Sequence, residues 1–404
     1  MAGDFRRLWA ADAVSQVGSR IGHLAVPLLV ILAIGATPFE ATLVKTAQTM
    51  AYLLFGLQVG VWVDRLRCRP VMVVADLGRF AVYASIPLAA ALDVLTLAHV
   101  LTAVFVAGLL TVFFDVAAAT YLPRVTDDLV RGNAALKRNQ SVAALVAPGL
   151  GGLVVQRVGA PVAVLADALT YLWSALWLRS IRTVEPVRPS RRRRLRREVA
   201  EGARAVWADP VLRAIGLHSA VLSLFLNMNL AVMIVFLADG LGLSPGLIGL
   251  LGSVGLVGAV AGSFAVPRLA ARLGYRRLLV AGVIVEGLAY LLFPLTDPGW
   301  RLGFQVAGGL LASFSVVVVT VVQSTLQQAR TPPNLLGRVN ATMTVLFWGP
   351  APIGSLAGGV CVAMLGYRPT LWIAGAGALL ATICIAPLRT VLPENRVTAP
   401  DDRR

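Results

Sequence analysis

The chain has 404 residues, of which 57% are hydrophobic and only 14% are charged. Soluble domains carry about 25% charged residues, and a soluble fold of this composition would expose large apolar patches and aggregate. The formal net charge of +16 suggests nucleic acid as a partner. The arginines, however, stand at the ends of apolar stretches, where membrane orientation and contact with anionic lipid explain them better. We therefore expect a membrane protein that binds no nucleic acid.

Twelve apolar stretches, each long enough to form a helix that crosses a membrane, follow one another along the chain. A membrane-spanning helix needs about 20 residues, so twelve of them with short loops use about 400 residues and leave little for a soluble catalytic domain. The sequence therefore predicts an all-α membrane protein with twelve transmembrane helices. The stretches are 9–34, 41–63, 70–92, 97–121, 137–157, 161–181, 210–237, 247–267, 278–296, 301–327, 338–364 and 368–389.

Arginine and lysine fall mainly in every second gap between these stretches. Arg65, Arg67 and Arg69 follow the second stretch, and Arg276 and Arg277 follow the eighth. Cytoplasmic loops of membrane proteins carry an excess of these residues. We therefore expect both termini in the cytoplasm. Since the first apolar stretch continues as a span without a cleavage signal, we expect a multi-pass protein of the bacterial cell membrane.

The longest gap divides the chain into two halves. It contains the basic run 191–197, which we interpret as part of a linker that also contacts anionic lipid. The segment Gly60–Arg69 after the second stretch is echoed by Pro267–Arg277 after the eighth, and two such six-span repeats are typical of transporters that rock one half against the other. The predicted domains are an N-terminal six-helix bundle (1–181), a cytoplasmic Arg-rich linker (182–209) and a C-terminal six-helix bundle with a short cytoplasmic tail (210–404).

Several local patterns resemble the major facilitator superfamily. Gly60–Arg69 resembles the signature of its loop between helices two and three, a glycine followed by Asp-Arg and a basic cluster. Ala147–Gly152 resembles the Gly-Pro-x-x-Gly-Gly motif in helix five of its drug:proton antiporters, with alanine for the first glycine. Phe5–Trp9, Phe114–Ala117 and Leu241–Ser244 are similar to the branch that includes macrolide-efflux and siderophore-exporter proteins. The resemblance covers nearly the whole chain and implies the major facilitator fold and a monomer.

The two motifs supply candidates for gating. The resemblance implies that Asp64 is held near the start of helix eleven when the inside is closed, and that the prolines and glycines of helix five form a hinge that seals the outer side. From the residues alone, Asp64 can equally cap a helix or form a surface ion pair, and small residues can serve tight packing without a directional role. The gating candidates are Asp64, Arg65, Arg69, Pro148, Gly151 and Gly152.

Ionisable residues inside apolar stretches are costly, so each is a functional candidate. His23 titrates near neutrality and is a candidate proton carrier. Asp115, near the cytoplasmic end of the fourth stretch, and Glu286, near the middle of the ninth, are candidates of the same kind. Structural interpretations stay open for all three, and helix nine is peripheral in the resembled superfamily. Lys45, near the outer end of the second stretch, is expected to reach the membrane interface.

Substrate contacts are expected from the remaining polar residues of the spans. Arg20 keeps its charge and would pair with a carboxylate or hold an anion. In the resembled fold helices one, four, seven and ten line the cavity, which implies Asn227 and Gln323 as contacts, and Trp348 adds an aromatic surface. Such a mixture suits a bulky, greasy molecule, although buried amides also simply bond helices together. The scattered cysteines and histidines predict no metal site or disulfide, and no cofactor is expected.

No enzyme signature is present, and the Gly-rich segments lack the Gly-Lys-Ser/Thr ending of an ATP-binding loop. Transport energy would then come from an ion gradient. We expect secondary active efflux of a small amphipathic compound, such as a drug, natural product or siderophore, in exchange for protons by alternating access. The alternatives are an uptake or lipid-translocating carrier of the same fold, and a non-transporting membrane sensor or scaffold that uses the Arg-rich loop.

Overall fold

The computed structural model describes residues 2–63, 66–126, 128–183, 195–332, 335–386 and 388, and all regular structure in those ranges is helical. The gating candidates Asp64 and Arg65, and the arginines 191–194 of the linker, lie outside the described residues. The long helices are α1 (Ala2–Leu32), α2 (Pro38–Val63), α3 (Cys68–Ala91), α4 (Leu97–Val125), α5 (Leu129–Val158), α6 (Ala160–Arg179), α7 (Leu195–Ala208), α8 (Pro210–Val235), α9 (Pro245–Tyr290), α10 (Leu302–Arg330), α11 (Leu336–Trp348), α12 (Ala351–Leu365) and α13 (Tyr367–Leu380).

The described helices have the length and surface of membrane spans. Among them are ten helical segments long and apolar enough to cross a membrane. Many large apolar side chains are exposed along them; Phe264 is 69% exposed, Trp300 79% and Met364 77%. Soluble monomers rarely expose apolar surface on this scale, whereas lipid tails cover it without cost. The chain is therefore a multi-span helical membrane protein.

Three segments differ from the predicted spans. The stretches 247–267 and 278–296 join into one helical run, α9, which is interrupted only at Gly274. This residue has a φ of 73°, a backbone conformation that glycine adopts without steric cost. The stretch 338–364 is divided into α11 and α12 around Pro350, which has no N–H to donate. The predicted linker contains the helix α7.

The described residues form two compact units. The first comprises Met1–Arg191 together with Ala231–Ser253, and the second comprises Arg192–Leu230 together with Val254–Arg404. The unit boundaries therefore fall within α8 and α9. In the first unit α1 packs on α5 and α6, α3 packs on α4 and α6, and α2 packs on α4. In the second unit α7 packs on α11, and α12 packs on α13.

Glycines let helices of the first unit approach closely. A Cβ atom on Gly18 of α1 would lie 2.0 Å from Thr170 Oγ1 of α6, and one on Gly22 would lie 2.0 Å from Asp167 Oδ2. Lipid tails are as apolar as leucine, so helices in a membrane associate by close packing rather than by the hydrophobic effect. These positions therefore set the distance between α1 and α6.

Close backbone contacts also join helices of the second unit. A Cβ atom on Gly258 of α9 would lie 2.0 Å from the carbonyl oxygen of Leu310 in α10. One on Gly354 of α12 would lie 2.0 Å from the carbonyl oxygen of Leu224 in α8. Because the opposing atoms belong to the backbone, they cannot move aside as a flexible side chain would. Both crossings therefore require glycine.

Charged residues anchor helix ends in the second unit. Arg338 of α11 forms an ion pair of 2.5 Å with Glu201 of α7. Asp209 accepts a hydrogen bond of 2.7 Å from the backbone N–H of Val211 at the start of α8, where free N–H groups favour an acidic partner. The same carboxylate accepts a 3.0 Å bond from Arg330 at the end of α10. These bonds tie α7, α8, α10 and α11 together near their ends.

We predict opposite effects for the same substitution at two glycines. Gly258→Ala should destabilise the protein by about 1–3 kcal/mol, because the methyl group overlaps the α10 backbone. Gly303→Ala is the matched control in α10, since its Cβ atom would meet no atom within 4 Å. It should be neutral or stabilise by about 0.5–1 kcal/mol, as helical Gly→Ala changes do. Thermal unfolding of the purified protein in detergent tests both, and equal melting temperatures would contradict the packing described here.

Candidate functional site

The carboxylate of Asp115 is held by a tyrosine of the neighbouring helix. Tyr52 of α2 donates a hydrogen bond of 2.8 Å to Asp115 Oδ2 on α4. The side chain of Asp115 is exposed on α4. Arg79 of α3 lies close enough to act on its charge. The predicted proton-carrier candidate is therefore positioned by a hydrogen bond.

Arg79 shows how the fold accommodates a buried cation. Its side chain forms an ion pair with Asp76 three residues earlier on α3, a spacing that puts the two side chains on the same helix face. The two residues are only 3% and 0% exposed. The guanidinium carbon lies 4.4 Å from the ring centre of Phe114 and 4.5 Å from that of Tyr171. A carboxylate and two aromatic faces thus stabilise this charge.

The other basic side chains within spans of the first unit have a different environment. Arg20 and His23 of α1 and Lys45 of α2 lie close enough to act on one another's charge. We call these three residues the cationic cluster. His23 is exposed, and Arg20 and Lys45 are partly exposed. From the sequence Lys45 was expected at the membrane interface, and its proximity to Arg20 and His23 was not predicted.

The predicted hinge motif of α5 contacts α1 through one glycine. A Cβ atom on Gly151 would lie 3.3 Å from the Cα atom of Ile21, so α1 and α5 cross almost backbone to backbone. Gly151 is buried, whereas Pro148 is partly exposed. The motif therefore has a packing role in the first unit that any larger side chain at Gly151 would disturb.

The other glycines of the motif contact the first turns of α9. The N–H of Gly149 donates a hydrogen bond of 2.9 Å to Ser253 Oγ. A Cβ atom on Gly152 would lie 2.3 Å from the carbonyl oxygen of Pro245. On the α9 side, a Cβ atom on Gly249 would lie 2.2 Å from the carbonyl oxygen of Pro148. We call this the α5–α9 contact; it combines backbone proximity with one directional hydrogen bond.

Of the three gating candidates in the loop after α2, Arg69 lies within the described residues. Its Nε donates a hydrogen bond of 3.1 Å to the carbonyl oxygen of Leu178, and its guanidinium also bonds the carbonyl oxygen of Arg179. These carbonyls belong to the last turn of α6, where a cation is favoured by the partial negative charge of the helix end. Arg69 thus ties the start of α3 to the end of α6.

Three predicted candidates meet at one cavity in the second unit. This cavity of about 290 Å³ is lined by Glu286 of α9, Gln323 of α10 and Trp348 of α11, together with apolar side chains that include Leu226 and Phe347. Glu286 is only 2% exposed, and its Oε2 accepts no hydrogen bond from the described residues. Its lining also includes polar side chains such as Ser219, Thr320 and Thr344, and a mixture of apolar and polar groups suits a small-molecule site.

Two amides of the second unit have different environments. Gln323 is joined to His218 by a hydrogen bond of 3.2 Å between Nε2 and Nδ1, which links α10 to α8 beside the cavity. Asn227 instead donates a hydrogen bond of 2.9 Å to the carbonyl oxygen of Ser223 in its own helix, and it does not line this cavity. The structure thus brings Gln323, but not Asn227, to the cavity that holds Glu286.

Sequence reasoning assigned no role to Tyr52 or His218, and it separated Lys45 from Arg20. A sequence signal for the last pair exists. The turn at residues 33–37 joins α1 to α2, so residues at similar depth on either side of it can meet. No comparable local signal relates Tyr52 to Asp115 or His218 to Gln323, because these contacts join helices that are distant in sequence.

Ionisable residues inside spans and glycines at helix crossings are common in membrane transporters. The family comparison agrees: the model described as "transmembrane secretion effector" matches residues 2–402. The chain belongs to this family of the major facilitator superfamily, whose members are transporters.

Its relatives include exporters. The multidrug efflux pump Tap of Mycobacterium tuberculosis is 29% identical over 380 residues, which cover 89% of this chain and 87% of the pump. The enterobactin exporter EntS of Escherichia coli is 27% identical over 410 residues, which cover 98% of this chain and 94% of the exporter. Both alignments extend over nearly the whole of each protein.

Solved transporter structures share the fold. The nucleoside transporter NupG superimposes with a TM-score of 0.78 at 11% identity, over 96% of this chain and 99% of that one. A bacterial homologue of the iron transporter ferroportin, in an inward-facing state, gives a TM-score of 0.77 at 16% identity, over 96% and 98% of the two chains. At this level of identity the likeness concerns the fold.

Proposed function

We propose that this protein exports a small amphipathic compound across the bacterial cytoplasmic membrane in exchange for protons. The observation that carries the proposal is the match of the whole chain to a family of secretion transporters, with relatives named as a multidrug efflux pump and a siderophore exporter. The largely apolar cavity around Glu286 and Trp348 supports an amphipathic substrate. The protein works as a monomer in contact with anionic lipid at its Arg-rich face.

The proposed topology has twelve spans in two six-helix halves, 1–181 and 210–404, joined by the cytoplasmic segment 182–209. Ten segments satisfy the criteria of length and hydropathy, and one of them, Pro245–Leu295, contains two helices that meet at Gly274. The helix α2, with 26 residues, is long enough for the twelfth span. With an even number of spans both termini lie on one side, and the arginine distribution supports the cytoplasm as that side.

Proton exchange is supported by ionisable groups within the spans. Asp115 is exposed and hydrogen-bonded to Tyr52, and Glu286 lines a cavity without a cationic partner among the described residues. His23 is a third candidate, since its ring is exposed. One charge that moves down 100 mV supplies about 2.3 kcal/mol. This sustains roughly a fiftyfold substrate gradient, since each 1.4 kcal/mol is about tenfold.

Alternating access requires contacts that form in one state and break in another. We assign this role to the α5–α9 contact. It consists of close glycines and a single hydrogen bond, so the two helices can separate at a small cost in free energy. Pro148, Gly151 and Gly152 shape α5 for it, while Asp64, Arg65 and Arg69 act at the loop after α2. The resemblance of that loop to the superfamily signature supports the second assignment.

Proton movement in proteoliposomes tests the function directly. Vesicles with a preset proton gradient and a pH-sensitive dye inside receive cationic dyes, macrolides or siderophores one at a time. The wild-type protein should dissipate the gradient when a substrate is added. Asp115→Asn should reduce the initial rate at least about tenfold, because the amide cannot carry the proton.

The control substitution is Asp297→Asn, on a loop carboxylate that pairs with Arg368 at 2.8 Å. The hydrogen bond from Arg368 lowers the pKa of Asp297, so this group stays ionised throughout the assay. The control should keep the wild-type rate. Substrate movement without proton movement would refute proton exchange and favour a uniporter. No movement of any labelled compound in either direction would favour a sensor or scaffold.

A disulfide across the α5–α9 contact tests alternating access. A Cβ atom on Gly149 would lie 3.8 Å from that of Ser253, the usual spacing in a disulfide. In a background without Cys68, Cys361 and Cys384, the pair Gly149→Cys with Ser253→Cys should cross-link on oxidation, and transport should stop. Reduction should restore transport in the same vesicles.

The matched control is the pair Leu150→Cys with Ser253→Cys. Leu150 follows Gly149 in α5, and its side chain is 45% exposed. It should form little cross-link under the same oxidation. If the oxidised Gly149–Ser253 pair transports at the wild-type rate, then the α5–α9 contact does not open during the cycle, and the proposed gate is wrong.

A further inference from the structure

The cationic cluster lies well within the spans of the first unit. Arg20 and His23 are 12 and 9 residues before the end of α1 at Leu32, and Lys45 is 7 residues after the start of α2 at Pro38. At 1.5 Å per residue, these side chains begin roughly 10–18 Å from the nearer helix end. Each of Arg20 and Lys45 acts on the charge of His23, and Arg20 acts on that of Lys45. Three basic groups from two consecutive helices thus act on one another within the same part of the spans.

No carboxylate compensates the cluster within the described part of the chain. The side chains of Arg20 and Lys45 form no ion pair or hydrogen bond there, and neither does the ring of His23. Glu40, the acidic residue of α2, bonds the N–H and hydroxyl of Thr37 instead.

Asp167 and Asp115 are the acids on helices packed around α1. Asp167 of α6 is buried against Gly22, and the basic group that acts on its charge is Arg79. Asp115 accepts its bond from Tyr52, and the basic groups that act on it are Arg79 and Lys137. Neither carboxylate is among the groups that act on the charges of His23 and Lys45.

Arg79 is a basic residue of the same unit whose charge does have partners. Its charge is matched by a carboxylate and stacked between two rings, and it is 3% exposed. The cationic cluster has no such partners among the described residues; the side chain of His23 is exposed on α1, and those of Arg20 and Lys45 are partly exposed. An uncompensated charge within a membrane is costly, and neighbouring like charges add to that cost. An incoming anion would remove both penalties.

The packing of α1 directs the exposed side chains away from two of its neighbours. Gly18 and Gly22 face α6, and Ile21 faces Gly151 of α5. Arg20 and His23 instead share the side of α1 near Lys45. The three groups also differ usefully in chemistry, because a guanidinium binds two oxygens of a planar anion, an ammonium attracts as a point charge, and an imidazole N–H donates one bond.

We propose that the cationic cluster binds the anionic group of the transported compound, a carboxylate, sulfonate, phosphate or catecholate. The proposal rests on the proposed export function for its physiological role, while binding itself does not depend on transport. It assigns Arg20 and Lys45 as the principal contacts and His23 as a hydrogen-bond donor, and it makes the substrate an amphipathic anion.

Equilibrium binding to the purified full chain in a neutral detergent tests the proposal. The probes are fluorescein, an anion at neutral pH, and tetramethylrhodamine methyl ester, a cation with the same ring system. Fluorescence polarisation should show fluorescein binding at least about tenfold tighter than the rhodamine ester. Arg20→Gln and Lys45→Gln should each weaken fluorescein binding about tenfold or more and leave the rhodamine ester unaffected.

Two controls separate charge from folding. Arg157→Gln removes an exposed cation of α5 and should change neither affinity. Arg20→Lys keeps the charge and should retain most of the fluorescein binding. Thermal unfolding checks that each variant is folded. An equal loss in Arg20→Lys and Arg20→Gln, preference for the cationic probe, or no fluorescein binding up to about 1 mM would overturn the proposal.

The same probes in proteoliposomes distinguish the two proposals. Transport of the rhodamine ester but not of fluorescein would refute the anion site and leave export standing. Binding of fluorescein by the wild-type protein, lost in Arg20→Gln, without transport of any compound would support the site and refute export.

Discussion

The interior of a membrane offers no water to an ion, so each charge within a span needs a partner from the protein or from a ligand. Most of the arrangement described above follows from this constraint. Asp76 and Arg79 satisfy it within one helix, with two rings around the guanidinium. Glu286 and the cationic cluster do not satisfy it among the described residues. We therefore assign the first pair to the architecture and propose that the others take part in the cycle of binding and release.

Because water is absent, the packing of the helices depends on the shape of their surfaces. Lipid tails compete equally for apolar side chains, so glycines that allow backbones to touch provide the specificity. In the second unit this occurs at Gly258 against α10 and at Gly354 against α8. In the first unit the motif of α5 uses neighbouring glycines for different partners, Gly151 for α1 and Gly152 for α9. A motif that joins two helices in this way is suited to transmit movement between them.

The length of the apolar stretches predicted the helices well. A segment that crosses a membrane must satisfy its backbone hydrogen bonds internally and expose apolar side chains to lipid. The pattern could not reveal that α9 continues to Gly274 and beyond, since the arginine-rich stretch between the two predicted spans also forms helix. It also gave no sign of α7 within the predicted linker. Of the site candidates, Glu286, Gln323 and Trp348 share a cavity. The pairing of Tyr52 with Asp115 depends on helix packing, which a single sequence does not encode locally.

We propose that the compensated charges hold the fold and that the ionisable groups without a partner perform transport. Thermal unfolding of purified Asp76→Asn and Glu286→Gln tests this proposal, since each substitution replaces one buried carboxyl group by an amide. Asp76→Asn should melt several degrees lower, because breaking a buried pair costs about 3–5 kcal/mol. Glu286→Gln should melt at or above the wild-type temperature, because no ion pair is lost. The reverse order would contradict the account.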